Sequence, residues 1–245
     1  MIMYRSKNLI RKLFPCIALA LCTAACDTGD IYPEEVVPEK TLTVNGSFVF
    51  TNTSTIPQQR ERRLALVALD SETALKPIRM SRILEAKEGK ATELQLDKVQ
   101  LEAKAIALVI TDQSSEIIST LYTFKIDDST EKETIELGTV AIDLAMYSRV
   151  QNQLFDQSCL SCHNEVKASK KLRLDKDVSY AQTVNKPSVT HPERLLVMPK
   201  YASQSYLVSK LLEYDGNGFN HMNLTTLKEE DIELLKAWIK SGAKN

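Results

Sequence analysis

Cys159-Leu160-Ser161-Cys162-His163 is the stretch of this sequence whose residue types and spacing most directly specify a chemistry. Two cysteines three apart on a helical turn point the same way. They can reach the two vinyl groups of one porphyrin and form thioethers. The histidine that follows then brings its imidazole to the iron from the same side. The pattern predicts one covalent haem c, with Cys159 and Cys162 as the thioether residues and His163 as the proximal iron ligand. Two other uses of the pair stay open. A structural zinc takes four ligands, usually from two separated pairs. The chain has no second C-x-x-C, and His191 and His221 are not in a zinc-like spacing. A thioredoxin-like dithiol calls for a strand–helix–strand setting, which the residues around Cys159 do not suggest.

The remaining cysteines point to export. Arg5, Lys7, Arg11 and Lys12 make a positive leader, followed by the apolar or small run LFPCIALALCTAA from Leu13 to Ala25. Such a run is short for a bilayer span and has the layout of a secretory signal. Its end, Thr23-Ala24-Ala25-Cys26, resembles a bacterial lipoprotein signal with a loose lipobox. That resemblance implies a signal peptide over 1–25 and lipidation of Cys26. A cleaved signal with a free Cys26, or an uncleaved membrane anchor, are the alternatives. Cleavage would remove Cys16 and Cys22, and lipid would occupy Cys26. Of the five cysteines, only Cys159 and Cys162 would then remain as thiols. A disulfide between them would close too small a loop to be a useful staple. Residues 26–40 are acidic, carry Pro33 and Pro38, and read as an extended tether.

Bulk composition removes some partners. Lys+Arg 31 against Asp+Glu 32 leaves a net charge of −1. A nucleic-acid protein needs surplus positive charge to displace counterions from phosphates, so none is expected here. With 245 residues and 43% hydrophobic content the chain can build one or two ordinary domains.

The elements that must position the motif divide in two. Residues 41–143 alternate with period two. Thr41-Leu42-Thr43-Val44 leads through Asn45-Gly46 to Ser47-Phe48-Val49-Phe50, and RLALVAL (63–69), TELQL (92–96), AIALVIT (105–111), IISTLYTFKI (117–126) and TIELGTVAI (134–142) follow. About seven short strands between polar turns predict an all-β sandwich, immunoglobulin-like in size. The region has no Cys, His or Trp, and no catalytic constellation is visible in it. After Met146 the spacing turns helical. Val150 and Leu154 lie four apart, as do Leu207 and Leu211. In LKEEDIELLKAWIK (227–240), Ile232, Leu235 and Ile239 share a face beside Leu234 and Trp238. Thr226 and Glu229 have the spacing of a capping box, Asp231 adds charge to the first turn, and Gly242 lies beyond the end.

With those elements around it, the last 90 or so residues resemble a small monohaem c-type cytochrome domain of the helical class I kind. The stretches that carry the likeness are LFDQSCLSCHNE, SQSYLVSKL, the His221-Met222 pair and LKEEDIELLKAWIKSGA. The resemblance implies a two-domain protein, with the β-sandwich followed by a mostly α cytochrome c-like domain over 144–245. It also implies a methionine distal ligand from the loop before the last helix. Met222 is in that place, and its soft thioether would raise the reduction potential. His221 and Met198 are the other candidates for the sixth position, and Trp238 is expected in the core near the haem edge.

The function implied is one-electron transfer by a membrane-anchored envelope lipoprotein facing the periplasm or cell surface, with an unidentified redox partner and no catalytic residues. Two further classes remain. One is a haem sensor or binding module that uses the sandwich to hold a glycan or protein. The other, a peroxidase-type subunit, would need an open iron site.

Overall fold

Alternation in the sequence becomes alternation in burial along β1 (Thr41–Thr51), whose even-numbered residues from Leu42 to Phe50 are buried while most odd ones are partly exposed. The computed structural model describes residues 40–58, 61–127, 133–214, 216 and 218–245. The signal peptide, the tether up to residue 39 and Cys26 therefore lie outside the described residues.

Six more strands follow: β2 (Arg63–Leu69), β3 (Arg79–Ile83), β4 (Ala91–Gln100), β5 (Ala105–Thr111), β6 (Ile117–Lys125) and β7 (Thr134–Asp143). They form two sheets, ordered β4-β1-β7 and β3-β2-β5-β6. All pairs are antiparallel except β1 with β7, which run parallel. Phe48, Phe50, Leu96, Val99 and Ile142 of the first sheet pack with Leu64, Leu66, Ile106, Leu108 and Ile110 of the second. Burying each such side chain contributes about 1.5–3 kcal/mol. β2 and β5 are also buried on their other face, where Ala65, Val67, Ala107 and Val109 cluster. This explains their continuous apolar sequences, which strands covered on both faces require.

Two local readings change. Asn45-Gly46 does not turn the chain; it lies mid-strand. A Cβ on Gly46 would sit 2.8 Å from Phe48 Cε2 and 3.1 Å from Leu137 Cβ, so the glycine is there for close approach. β3 was not anticipated. It is a five-residue edge strand paired only to β2, and its arginines hide the alternation.

The expected fold class, an immunoglobulin-like sandwich followed by a separate mostly α cytochrome domain, is overturned. Regular structure is mostly β. Beyond Asp143 the helices are α1 (Tyr147–Val150), which continues as a π-helix over Gln151–Cys159, then α2 (Ser179–Thr183), α3 (Tyr206–Leu212) and α4 (Glu229–Lys240). Only α4 exceeds two α-helical turns, and much of the rest is irregular. The reason lies in the backbone. Between Asn164 and Gln204 the chain carries Pro187, Pro192 and Pro199, and it takes left-handed φ at Ala168, Lys170, Lys171, Asn185 and Lys200. Each of these interrupts a run of i→i+4 hydrogen bonds.

These C-terminal elements build a second core from Val150, Leu154, Phe155, Leu174, Val197, Val208, Leu211, Leu234, Leu235, Trp238 and Ile239. Trp238 is 1% exposed, its indole donates to Lys244 O at 2.8 Å, and its ring lies 5.1 Å from that of Tyr147. α4 begins two residues later than its capping-box spacing suggests. Asp231 Oδ2 accepts from the Lys228 amide at 3.0 Å, so Asp231 caps the helix in place of Thr226 and Glu229.

Residues Lys40–Asn245 form one compact unit, and a buried polar chain stitches its two cores together. Arg149, fully buried, donates to Thr55 O at 2.7 Å, Leu144 O at 2.8 Å and Gln153 Oε1 at 2.9 Å. Gln153 donates to Asp231 Oδ1 at 3.0 Å, and Asp231, itself fully buried, pairs with Arg62. Arg62 also reaches Glu230 at 2.8 Å. Burial, helped by repulsion from Arg62, lowers the Arg149 guanidinium to about 10.

Candidate haem site

The π-helix delivers Cys159 at its last residue. Its widened i→i+5 closure is visible where the Leu160 amide donates to Phe155 O at 3.2 Å. Single π turns occur frequently at functional sites. The amides of Cys162 and His163 then both donate to Cys159 O, at 3.1 and 3.0 Å, closing a tight turn that carries all three motif residues. Cys159 and Cys162 are free thiols, the first half-buried and the second exposed. Burial pushes the Cys159 thiol up to about 12.

His163 is oriented by its neighbour across the loop. Its Nδ1 lies 3.2 Å from Leu172 O. A carbonyl at that distance holds the Nδ1–H tautomer and leaves Nε2 as the ligating nitrogen. The carbonyl is fixed in turn, because the Leu174 amide donates to His163 O at 2.7 Å and closes the loop.

All three motif residues line one cavity of about 670 Å³. This falls within the range of about 300–1,000 Å³ usual for small-molecule and cofactor pockets. Its walls are largely apolar: Leu172, Leu174 and Leu196, then Leu207 and Leu211 of α3, and Phe219 and Leu224 from the loop before α4. Lys170, Lys171, Lys186 and Lys210 also line it, and among the described residues no Asp or Glu does.

The three expected distal candidates part company. His221 lines the cavity, and its ring centre is 6.4 Å from that of His163 with the planes 21° apart. Met222 does not line it and is 56% exposed. Met198 is partly buried, also outside the lining, and its amide donates to Ser205 Oγ at 2.9 Å. Trp238 is in the core as expected but does not reach the cavity wall. His191 also lines the cavity and packs against Tyr206, with ring centres 4.9 Å apart. Neither the lysines nor His191 carried a sequence signal, because isolated residues on irregular loops have no periodicity to betray them.

A haem fits this donor set. Among the described residues no group of three or more His, Cys, Asp or Glu is arranged to hold a metal ion by itself. A porphyrin already supplies four nitrogens and asks the protein only for axial ligands. The sandwich offers less to a ligand. Phe48 and Phe50 are fully buried, and Tyr122 and Phe124 pack on the same core.

No protein-family model and no curated protein matches the chain. Among solved structures it is similar to the 9R-lipoxygenase from Cyanothece PCC8801, at 15% identity and a TM-score of 0.24. That likeness covers 42% of this chain and only 16% of the lipoxygenase, and nothing of that enzyme's chemistry is carried over.

Proposed function

We propose that this chain is a haem c protein that transfers single electrons, tethered to a membrane of the cell envelope through lipid on Cys26. The observation that carries the reading is the convergence of Cys159, Cys162 and His163 on one apolar cavity of cofactor size. The bound haem would supply a one-electron ferric/ferrous couple. Cys159 and Cys162 would hold it by adding their thiols across its vinyl groups, the sulfur bonding to one vinyl carbon and the hydrogen going to the other. His163, steadied by Leu172 O, would present Nε2 as an axial ligand. The leucines would shield the haem from water, and the lining lysines Lys170, Lys171 and Lys186 would suit the carboxylates that a haem carries. Among the described residues no helix is long and apolar enough to cross a membrane.

The test is expression alongside a haem-attachment system. The denatured chain should retain a haem stain, show one haem per chain in its pyridine spectrum and gain the mass of one haem. Cys159→Ser with Cys162→Ser should lose all three signals. A colourless wild-type protein would falsify the reading.

A further inference from the structure

We infer that His221, in place of Met222, is the second axial ligand, so that the iron is held between two imidazoles. The inference rests on the haem reading above and assigns the sixth position within it.

The distance is the first argument. A metal–imidazole bond is about 2 Å, and adding roughly 1 Å from nitrogen to ring centre on each side puts two imidazoles sharing one metal about 6 Å apart. The His163 and His221 ring centres are 6.4 Å apart and their planes differ by 21°. Both side chains line the same cavity.

The backbone supplies the second argument. His221–Asn223 is a single 3₁₀ turn, pinned at its start by Asn220 Oδ1, which accepts from the Met222 amide at 3.0 Å. Adjacent residues on such a turn point in different directions. This one sends residue 221 to the cavity wall and residue 222 to solvent, where Met222 is 56% exposed. Phe219 then supports the imidazole edge-on, its ring 5.3 Å away at 89°. For Met222 to reach the same place the turn would have to be rebuilt and the Asn220 bond given up.

A thioether sixth ligand raises the reduction potential, and an imidazole leaves it lower. Two imidazoles also give a low-spin ferric iron without the weak long-wavelength sulfur-to-iron band. The experiment takes the full-length haem-loaded protein, with His221→Ala, Met222→Ala and His221→Met variants, and records oxidised absorption and electron paramagnetic resonance spectra of each.

The wild type should be low-spin and lack the sulfur band, and Met222→Ala should match it in spectrum and potential. His221→Ala should keep its haem on the denatured chain but turn high-spin or bind added imidazole. His221→Met should gain the sulfur band and a higher potential. A sulfur band in the wild type that disappears in Met222→Ala overturns the inference, and so does a five-coordinate wild-type iron. Both leave the haem reading standing, because the haem stain on the denatured chain is scored separately.

Discussion

At Gly46 the side chain is missing because its space is taken. An alanine there would push its methyl into the Phe48 ring, 2.8 Å away, and against Leu137. Overpacking of this kind costs about 1–3 kcal/mol. Gly46→Ala should lower the urea midpoint by a corresponding amount, and an unchanged midpoint would mean that the β1–β7 edge yields freely. The same scale shows what local spacing can reveal. That Cys159, Cys162 and His163 share one turn was legible from their spacing, because so short a stretch fixes their relative directions. The choice between His221 and Met222 was not. The residues are adjacent, and a 3₁₀ turn capped by Asn220 decides which one faces the cavity. Nothing in their order announces that turn.

Among the elements, α4 is tied to the β-sheet region by charge as well as by its apolar face. Asp231 caps the helix and pairs with Arg62 just ahead of β2. Removing one member of a buried pair leaves an unpaired charge and costs about 3–5 kcal/mol. Arg62→Met should therefore destabilise the protein by about that much in urea unfolding. Adding Asp231→Asn should restore part of the loss, since the amide keeps a hydrogen-bonding oxygen without the charge. A double variant worse than the sum of the singles would argue that the pair is not the source. The alternating strand β1 and the continuous apolar runs of β2 and β5 could be read directly from the sequence. The edge strand β3 could not, because Arg79 and Arg82 occupy positions where a half-buried strand would show its pattern. Beyond Asp143 the apolar residues four apart do fall on helical segments, but they did not announce how short most of those segments are or how much irregular chain separates them.

At the scale of the whole molecule, the hydrophobic cores change over between Leu144 and Ala145, while hydrogen bonds cross that line. A fragment of residues 145–245 keeps the cavity but loses Thr55, Arg62 and Leu144, the partners of Arg149 and Asp231. It should unfold at a clearly lower urea concentration than the full chain. Equal midpoints would show that the crossing bonds add nothing. Attachment has its own test. Cys26→Ser should move the protein from membranes to the soluble fraction, whereas retention would point to an uncleaved anchor.

The lysine-lined cavity has a consequence for speed. The chain's net charge is −1, yet Lys170, Lys171 and Lys186 line one cavity with no carboxylate among the described lining residues. Two haem propionates would offset only part of that charge. On the haem reading positive charge would lie beside the iron, and collisions there would be biased by sign. Such fields change association rates by roughly 10–10³ at low ionic strength. Their reach shrinks from about 30 Å at 0.01 M salt to about 8 Å at 0.15 M. Electron exchange with a small anionic oxidant such as ferricyanide should slow as salt is added, while exchange with a cationic complex of similar potential should quicken. Charge reversal at Lys170 and Lys171 to glutamate should shrink or invert both slopes, and a ratio of the two rates that ignores salt would remove the bias altogether.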